Sequence, residues 1–260
     1  MESIDRGAIL VRRLPGWVGI LWLSALPARF LMVFLCNEVL RQGASVRSHG
    51  TAMVALAQLV LAAWVVALIG RLFFVRACRI AHDSGDPSLA AVIRVPWRDL
   101  AAVLYAALLL EVLFWLVLPV WVLSPFVLLF CLAAAAVAPQ RGFGPIAPLA
   151  ALGDIEPWSL LRLGFALAIA TIIVFFNAYG VVQGLFWALS GLAGIDLSHW
   201  KPLLRFDNPL FVLLLSAGVI TLIEPFAVAS IAVLAILSQA RRTGDDLREW
   251  FAILRAQAKR

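Results

Sequence analysis

Six long apolar stretches divide this chain, and almost all of its cationic charge stands in alternate gaps between them. A helix needs roughly 20 apolar residues to cross a hydrocarbon core about 30 Å thick. The windows that qualify run about Trp17–Leu40, Thr51–Val75, Leu100–Pro119, Val120–Ala138, Leu160–Leu189 and Pro209–Leu237. With 63% hydrophobic and 14% charged residues and a mean hydropathy of +0.99, the composition is far from that of a soluble globular domain. The expected fold is all-α, a polytopic membrane bundle of six transmembrane helices with short interfacial helices on the cytoplasmic face. Residues 1–260 form a single integral membrane domain. The third and fourth windows make one continuous apolar run, divided at Pro119 because proline forces a turn where two helices would otherwise merge. A single long kinked helix is the alternative there.

Charge placement sets the orientation. A net charge of +6 and a pI near 10.0 would suggest nucleic acid in a soluble protein. Here 16 of the 21 Lys and Arg residues precede the first window, follow the sixth, fall in the second-to-third and fourth-to-fifth gaps, or, as Arg71 and Arg162, stand at the window ends that border those gaps. The opposite loops hold only Arg41, Arg47, Lys201 and Arg205. The positive-inside rule then places both termini in the cytoplasm. The basic segments read as contacts with anionic lipid headgroups, each worth on the order of 1 kcal/mol. The expected partners are the bilayer, those headgroups and other membrane or cytoplasmic proteins, with no nucleic acid.

The three cysteines, Cys36, Cys78 and Cys131, lie in or beside different windows without a CxxC pair, which suits small apolar filler better than a disulfide or zinc site. The first window has a basic flank like a signal peptide, but its apolar run resumes after Arg29 without a small-x-small cleavage site. It reads as a retained helix.

Short helices are expected outside the windows. Asp86-Pro87 offers an N-cap and first helical position for Leu89–Ile93, ending before Pro96. Similar acidic, apolar, basic successions occur at Asp5, Ile9, Leu10, Arg12 and at Asp154, Pro157, Leu160, Leu161, Arg162. They hint at three copies of one interfacial-helix-plus-hairpin unit. The C-terminal tail, residues 243–260, starts on Thr243-Gly-Asp-Asp246, a capping-box-like sequence. It then places Leu247, Trp250, Phe251 and Leu254 at i, i+3, i+4, i+7, one apolar stripe. Such a helix lies on the cytoplasmic membrane surface; docking to a cytoplasmic partner is the alternative. The loop Ser190–Asn208 carries Asp196, His199, Trp200, Lys201, Arg205 and Asp207 and reads as a hydrated loop with Trp200 as interfacial anchor.

Three ionisable residues stand well inside apolar windows: Arg29, Glu111 and Glu224. Each costs roughly 2.5–3.5 kcal/mol at a helix centre on insertion scales, so a compensating contact is expected. Counted from the cytoplasmic ends of their windows they share nearly one depth, and an arginine can serve two carboxylates. We expect an Arg29–Glu111/Glu224 cluster in the bundle interior. It is either an ion-pair staple fixing helix register or part of a proton- or ion-coupled pathway, unless the charges snorkel. Pro27 and Pro225 flank it, and each should kink its helix and free a carbonyl at the charge level. Asn177, Gln183, Gly180 and Gly184 suggest close helix packing, Gly180–Gly184 being a literal GxxxG.

No nucleophile elbow, HExxH or P-loop is present, so no catalytic, cofactor-binding or metal site is expected. Ser3-Ile-Asp-Arg-Gly7 at the start, with Ile223-Glu-Pro-Phe-Ala227 and Arg241-Arg-Thr-Gly-Asp-Asp-Leu247 near the end, resembles a group of uncharacterised bacterial inner-membrane proteins. That group is distantly similar to the membrane domain attached to some glycerophosphodiester phosphodiesterases. The resemblance implies a multi-pass scaffold in a bacterial inner membrane, without the phosphodiesterase domain. The expected function is a non-enzymatic scaffold or accessory subunit of a membrane complex. A small transporter or permease using Arg29, Glu111 and Glu224 is the alternative.

Overall fold

A computed structural model describes residues 2–42, 50–83, 85–94, 101, 105, 133 and 157–244. Among these residues there are six helices: α1 (Glu2–Arg13), α2 (Pro15–Gln42), α3 (Gly50–Asp83), α4 (Leu89–Ile93), α5 (Pro157–Gly191) and α6 (Pro209–Thr243). Four of them contain stretches long and apolar enough to cross a membrane: Pro15–Leu40, Ala52–Asp83, Trp158–Gly191 and Pro209–Arg241. The described chain thus has the helix lengths and hydropathy of an all-helical membrane protein. The third and fourth sequence windows, Leu100–Pro119 and Val120–Ala138, lie outside the described residues apart from Ala101, Tyr105 and Ala133, as do Glu111 and the tail residues Leu247, Trp250, Phe251 and Leu254.

Packing divides the chain into two units. One comprises Met1–Gly19, Arg71–Phe165 and Phe226–Arg260, the other Ile20–Gly70 and Ala166–Pro225.

In the first unit α1 is amphipathic. Gly7, Leu10 and Leu14 are buried at i, i+3, i+7 while Asp5, Arg6, Arg12 and Arg13 are exposed. Arg12 and Arg13 occupy its last turn, where positive charge suits the carbonyl end. Pro15 ends it, having no N–H to donate and disfavouring helical geometry at Leu14; it then opens α2, where a missing N–H costs nothing. A Cβ on Gly7 would stand 2.9 Å from both Cα and N of Ser230, so only glycine lets α1 approach α6 this closely. The α3 residues Phe74, Val75 and Cys78 are fully buried, as are Val228, Ile231 and Val233 of α6. Arg79 donates from Nη1 to Gln239 Oε1 at 3.0 Å and pairs with Asp83 one turn along α3. The short α4 is capped by Ser88, whose Oγ accepts from Ala91 N–H at 3.3 Å. The sequence alone points to Asp86 for that cap. Proline at 87 pushes the preceding residue towards extended geometry, and helical bonding begins two residues later.

In the second unit the buried residues of α2, Leu21, Ala25 and Val33, follow helical spacing. Gly70 of α3 meets Ser24 of α2 so closely that an added Cβ would overlap the Ser24 side chain. The α6 helix is the most enclosed of the four, with 72% of its span window buried against 17–28% in the others, which suits a helix apolar around its whole circumference. Asn208 opens it: its Oδ1 accepts from Leu210 N–H at 3.1 Å and its carbonyl from Val212 N–H, with Pro209 at the first helical position. Beyond Thr243, Gly244 adopts φ +70°, a left-handed stop. Thr243 therefore belongs to the end of α6, where the sequence suggested a capping position.

Candidate functional site

The site lies in the second unit, where α2 meets α6. Arg29 falls near the middle of the apolar span Pro15–Leu40, and Glu224 near the middle of Pro209–Arg241. Arg29 Nη2 lies 2.6 Å from Glu224 Oε2, a contact ion pair whose side chains are only 13% and 5% exposed. Arg29 Nη1 also donates to Thr221 Oγ1 at 2.5 Å. Thr221 is one turn from Glu224, so both face the same guanidinium. Its hydroxyl proton is directed elsewhere, donating to Ala217 O at 2.7 Å. The lone pairs are thereby left for Arg29, and the hydroxyl is used as both donor and acceptor.

Pro225 explains a fourth member. In an α-helix the carbonyl of Thr221 would accept from the N–H of residue 225, but proline has none. The indole Nε1–H of Trp22 fills that place, donating to Thr221 O at 2.7 Å. Trp22 and Arg29 lie two turns apart along one face of α2. The helix defect and the charge are thus served from the same face of α2, and α6 continues unbroken from Pro209 to Thr243 through Pro225. Pro27 is likewise internal to α2, which runs unbroken from Pro15 to Gln42.

Of the three charges expected inside apolar windows, the structure brings Arg29 and Glu224 together, while Glu111 lies outside the described residues. Sequence reasoning missed Trp22 and Thr221. A signal for Thr221 was present, since it stands one helical turn before Glu224-Pro225. Trp22 carried none, because the partner of a freed carbonyl comes from another helix.

The GxxxG reading is corrected. Gly180 and Gly184 are exposed, and among the described residues a Cβ added to either would meet nothing within 4 Å. Asn177 donates within its own helix, to Ile173 O at 2.7 Å. Gln183 donates to Leu204 O in the following loop, also at 2.7 Å. In that loop Asp196 Oδ1 accepts from Ser198 N–H at 3.0 Å. This backbone donor, helped by the Ser198 side chain and by Lys201, holds the carboxyl below the usual carboxylate range. Arg205 and Asp207 pair at 3.4 Å with side chains 69% and 67% exposed, an arrangement worth little in water.

Among the described residues no three His, Cys, Asp or Glu side chains converge as a metal site would require, and the Cys36 and Cys78 thiols are free. No family model, curated protein or solved structure matches this chain.

Proposed function

We propose that this chain is a non-enzymatic multi-pass membrane protein, a scaffold or accessory subunit of a membrane complex, in which Arg29–Glu224 is a structural staple. The observation that carries the reading is the closure of that pair: both side chains are largely buried, and Arg29 also binds Thr221. A group that relays protons or ions must meet water on at least one side during its cycle. A buried pair with its neighbouring donors and acceptors engaged holds two helices in one register. The full topology we propose has six spans with both ends in the cytoplasm of a bacterial inner membrane. The bilayer and anionic headgroups on the basic side are its partners, together with proteins of the complex. Membership of the bacterial inner-membrane group is part of the same proposal, supported by the Glu224-Pro225 and Arg241-Arg242 segments.

The test replaces both charges by apolar residues of similar length, Arg29→Met with Glu224→Met, and asks whether the variant complements loss of the wild-type gene in cells. A buried ion pair exchanged for well-packed apolar groups is often neutral or stabilising, so a staple is dispensable when both halves go. Full complementation is expected. Loss of complementation by a variant that inserts and folds normally would overturn the staple and favour the transporter.

A further inference from the structure

Helices α3 and α6 are longer than a bilayer core is thick. Their 34 and 35 residues make about 51 and 52 Å, against a core of about 30 Å. Tilt can absorb such an excess. Three observations place it instead at one end of each helix.

The first is the seat of α1. A Cβ on Gly7 would stand 2.9 Å from the Cα of Ser230, so α1 and α6 share one depth there. On either side of Gly7, α1 exposes Asp5, Arg6, Arg12 and Arg13. Arginine can snorkel on its long stem, but the short side chain of Asp5 cannot. The charged face of an amphipathic helix belongs at the headgroups or in water. Ser230 therefore marks the edge of the hydrocarbon, and from it α6 runs on to Thr243, about 20 Å.

The second is where apolar side chains lie open. On α6 the exposed large ones are Leu214, Ile220, Leu222 and Phe226, all before Ser230. Beyond it, Ile231, Val233 and Ile236 are buried in protein. On α3 the exposed ones are Val54, Leu59, Leu61 and Val66, all before Arg71, and beyond it Phe74, Val75 and Cys78 are buried. The third is charge. Residues 50–70 hold no Asp, Glu, Lys or Arg, whereas Arg71, Arg76, Arg79, His82 and Asp83 crowd the rest of α3. Lengths agree: residues 50–70 and 209–230 make about 31 and 33 Å, each the thickness of one core without tilt.

We propose that α3 leaves the bilayer near Arg71 and α6 near Ser230, and that their remaining turns form a helical module in the aqueous phase on the α1 side. Arg79 ties the two ends together through Gln239, and Arg76 holds α4 by donating to Arg94 O at 3.3 Å. All of these residues belong to the first packing unit. The hydropathy of α6 beyond Ser230 is then that of a protein core. This inference rests on the membrane reading and is independent of the staple.

To test it, the full chain with Cys36, Cys78 and Cys131 changed to Ala receives one cysteine at a time, Ile9→Cys, His82→Cys, Leu222→Cys or Arg241→Cys. Each carries a bimane label in phosphatidylcholine vesicles bearing a nitroxide on the headgroup or on the acyl chain. The label at 222 should be quenched from the acyl chain and the label at 9 from the headgroup. Labels at 82 and 241 should lose most of the quenching seen at 9. Headgroup quenching at 82 and 241 equal to that at 9 is what spans ending at Asp83 and Arg241 require, and it would overturn the proposal. An unquenched label at 222 would overturn the membrane reading and this proposal with it. Should the cysteine-free background fail to fold, phosphatidylcholine with a diazirine in its acyl chain reads the same point on the unaltered protein. Adducts are expected at Leu61, Val66, Ile220 or Leu222, and adducts at the half-buried Ile80 or Leu237 would overturn the proposal.

Discussion

Thr221 is the residue on which the site turns, because its side chain and its main chain each meet a different part of α2. The carbonyl is free of its helical partner only because residue 225 is proline, and Trp22 supplies the missing donor. An orphaned buried carbonyl costs about 1–3 kcal/mol, so Trp22→Phe should destabilise the protein by that order while keeping most of the ring's packing. Pro225→Ala restores an N–H at the position that should donate to Thr221 O. In that background Trp22→Phe should cost much less, as measured by thermal unfolding in detergent micelles. Equal costs in the two backgrounds would mean that the indole bond matters little. The charged pair was legible in the sequence because Arg29 and Glu224 are expensive in an apolar window and share a depth. Trp22 and Thr221 were not, since a neutral tryptophan and a threonine are ordinary in membrane helices and nothing in sequence spacing links positions 199 residues apart.

Among the helices, α1 and α6 meet through Gly7. Alanine is intrinsically better than glycine in a helix interior by about 1 kcal/mol. Against that, a Cβ at position 7 would press on the Ser230 backbone, which cannot rotate away, and such overpacking costs about 1–3 kcal/mol. The clash should win: Gly7→Ala should lower the unfolding temperature and expose α1 to protease while leaving the four long helices intact. Unchanged protection of α1 would show that the close approach is dispensable. The long helices were readable because apolar runs of this length are hard to bury anywhere but in a bilayer. Their ends were less so. The apolar count stops at Val75, but α3 continues to Asp83, because backbone bonding does not depend on hydropathy and Arg79 has both Asp83 and Gln239 to bind. The GxxxG of α5 misled for a related reason. Small residues permit close packing, but a face is packed only if another helix reaches it, and no described residue stands within reach of a Cβ at either glycine.

Across the chain as a whole, the staple joins the first and last of the four apolar helices, α2 and α6, so it ties together segments that the sequence holds far apart. On the proposed topology, six spans with both ends in the cytoplasm, reporter fusions after Arg260 and within 76–99 should report cytoplasm, and a fusion at Lys201 the opposite side. A cytoplasmic signal at Lys201 would mean that an even number of spans precedes it, against the proposed topology. The decisive measurement is a double-mutant cycle on the pair. Arg29→Met and Glu224→Met are each expected to cost about 3–5 kcal/mol, because each leaves a buried charge uncompensated, and the double variant should recover most of that loss. Stability losses that simply add across the two single variants would contradict the staple, and with it the account of how these helices are held.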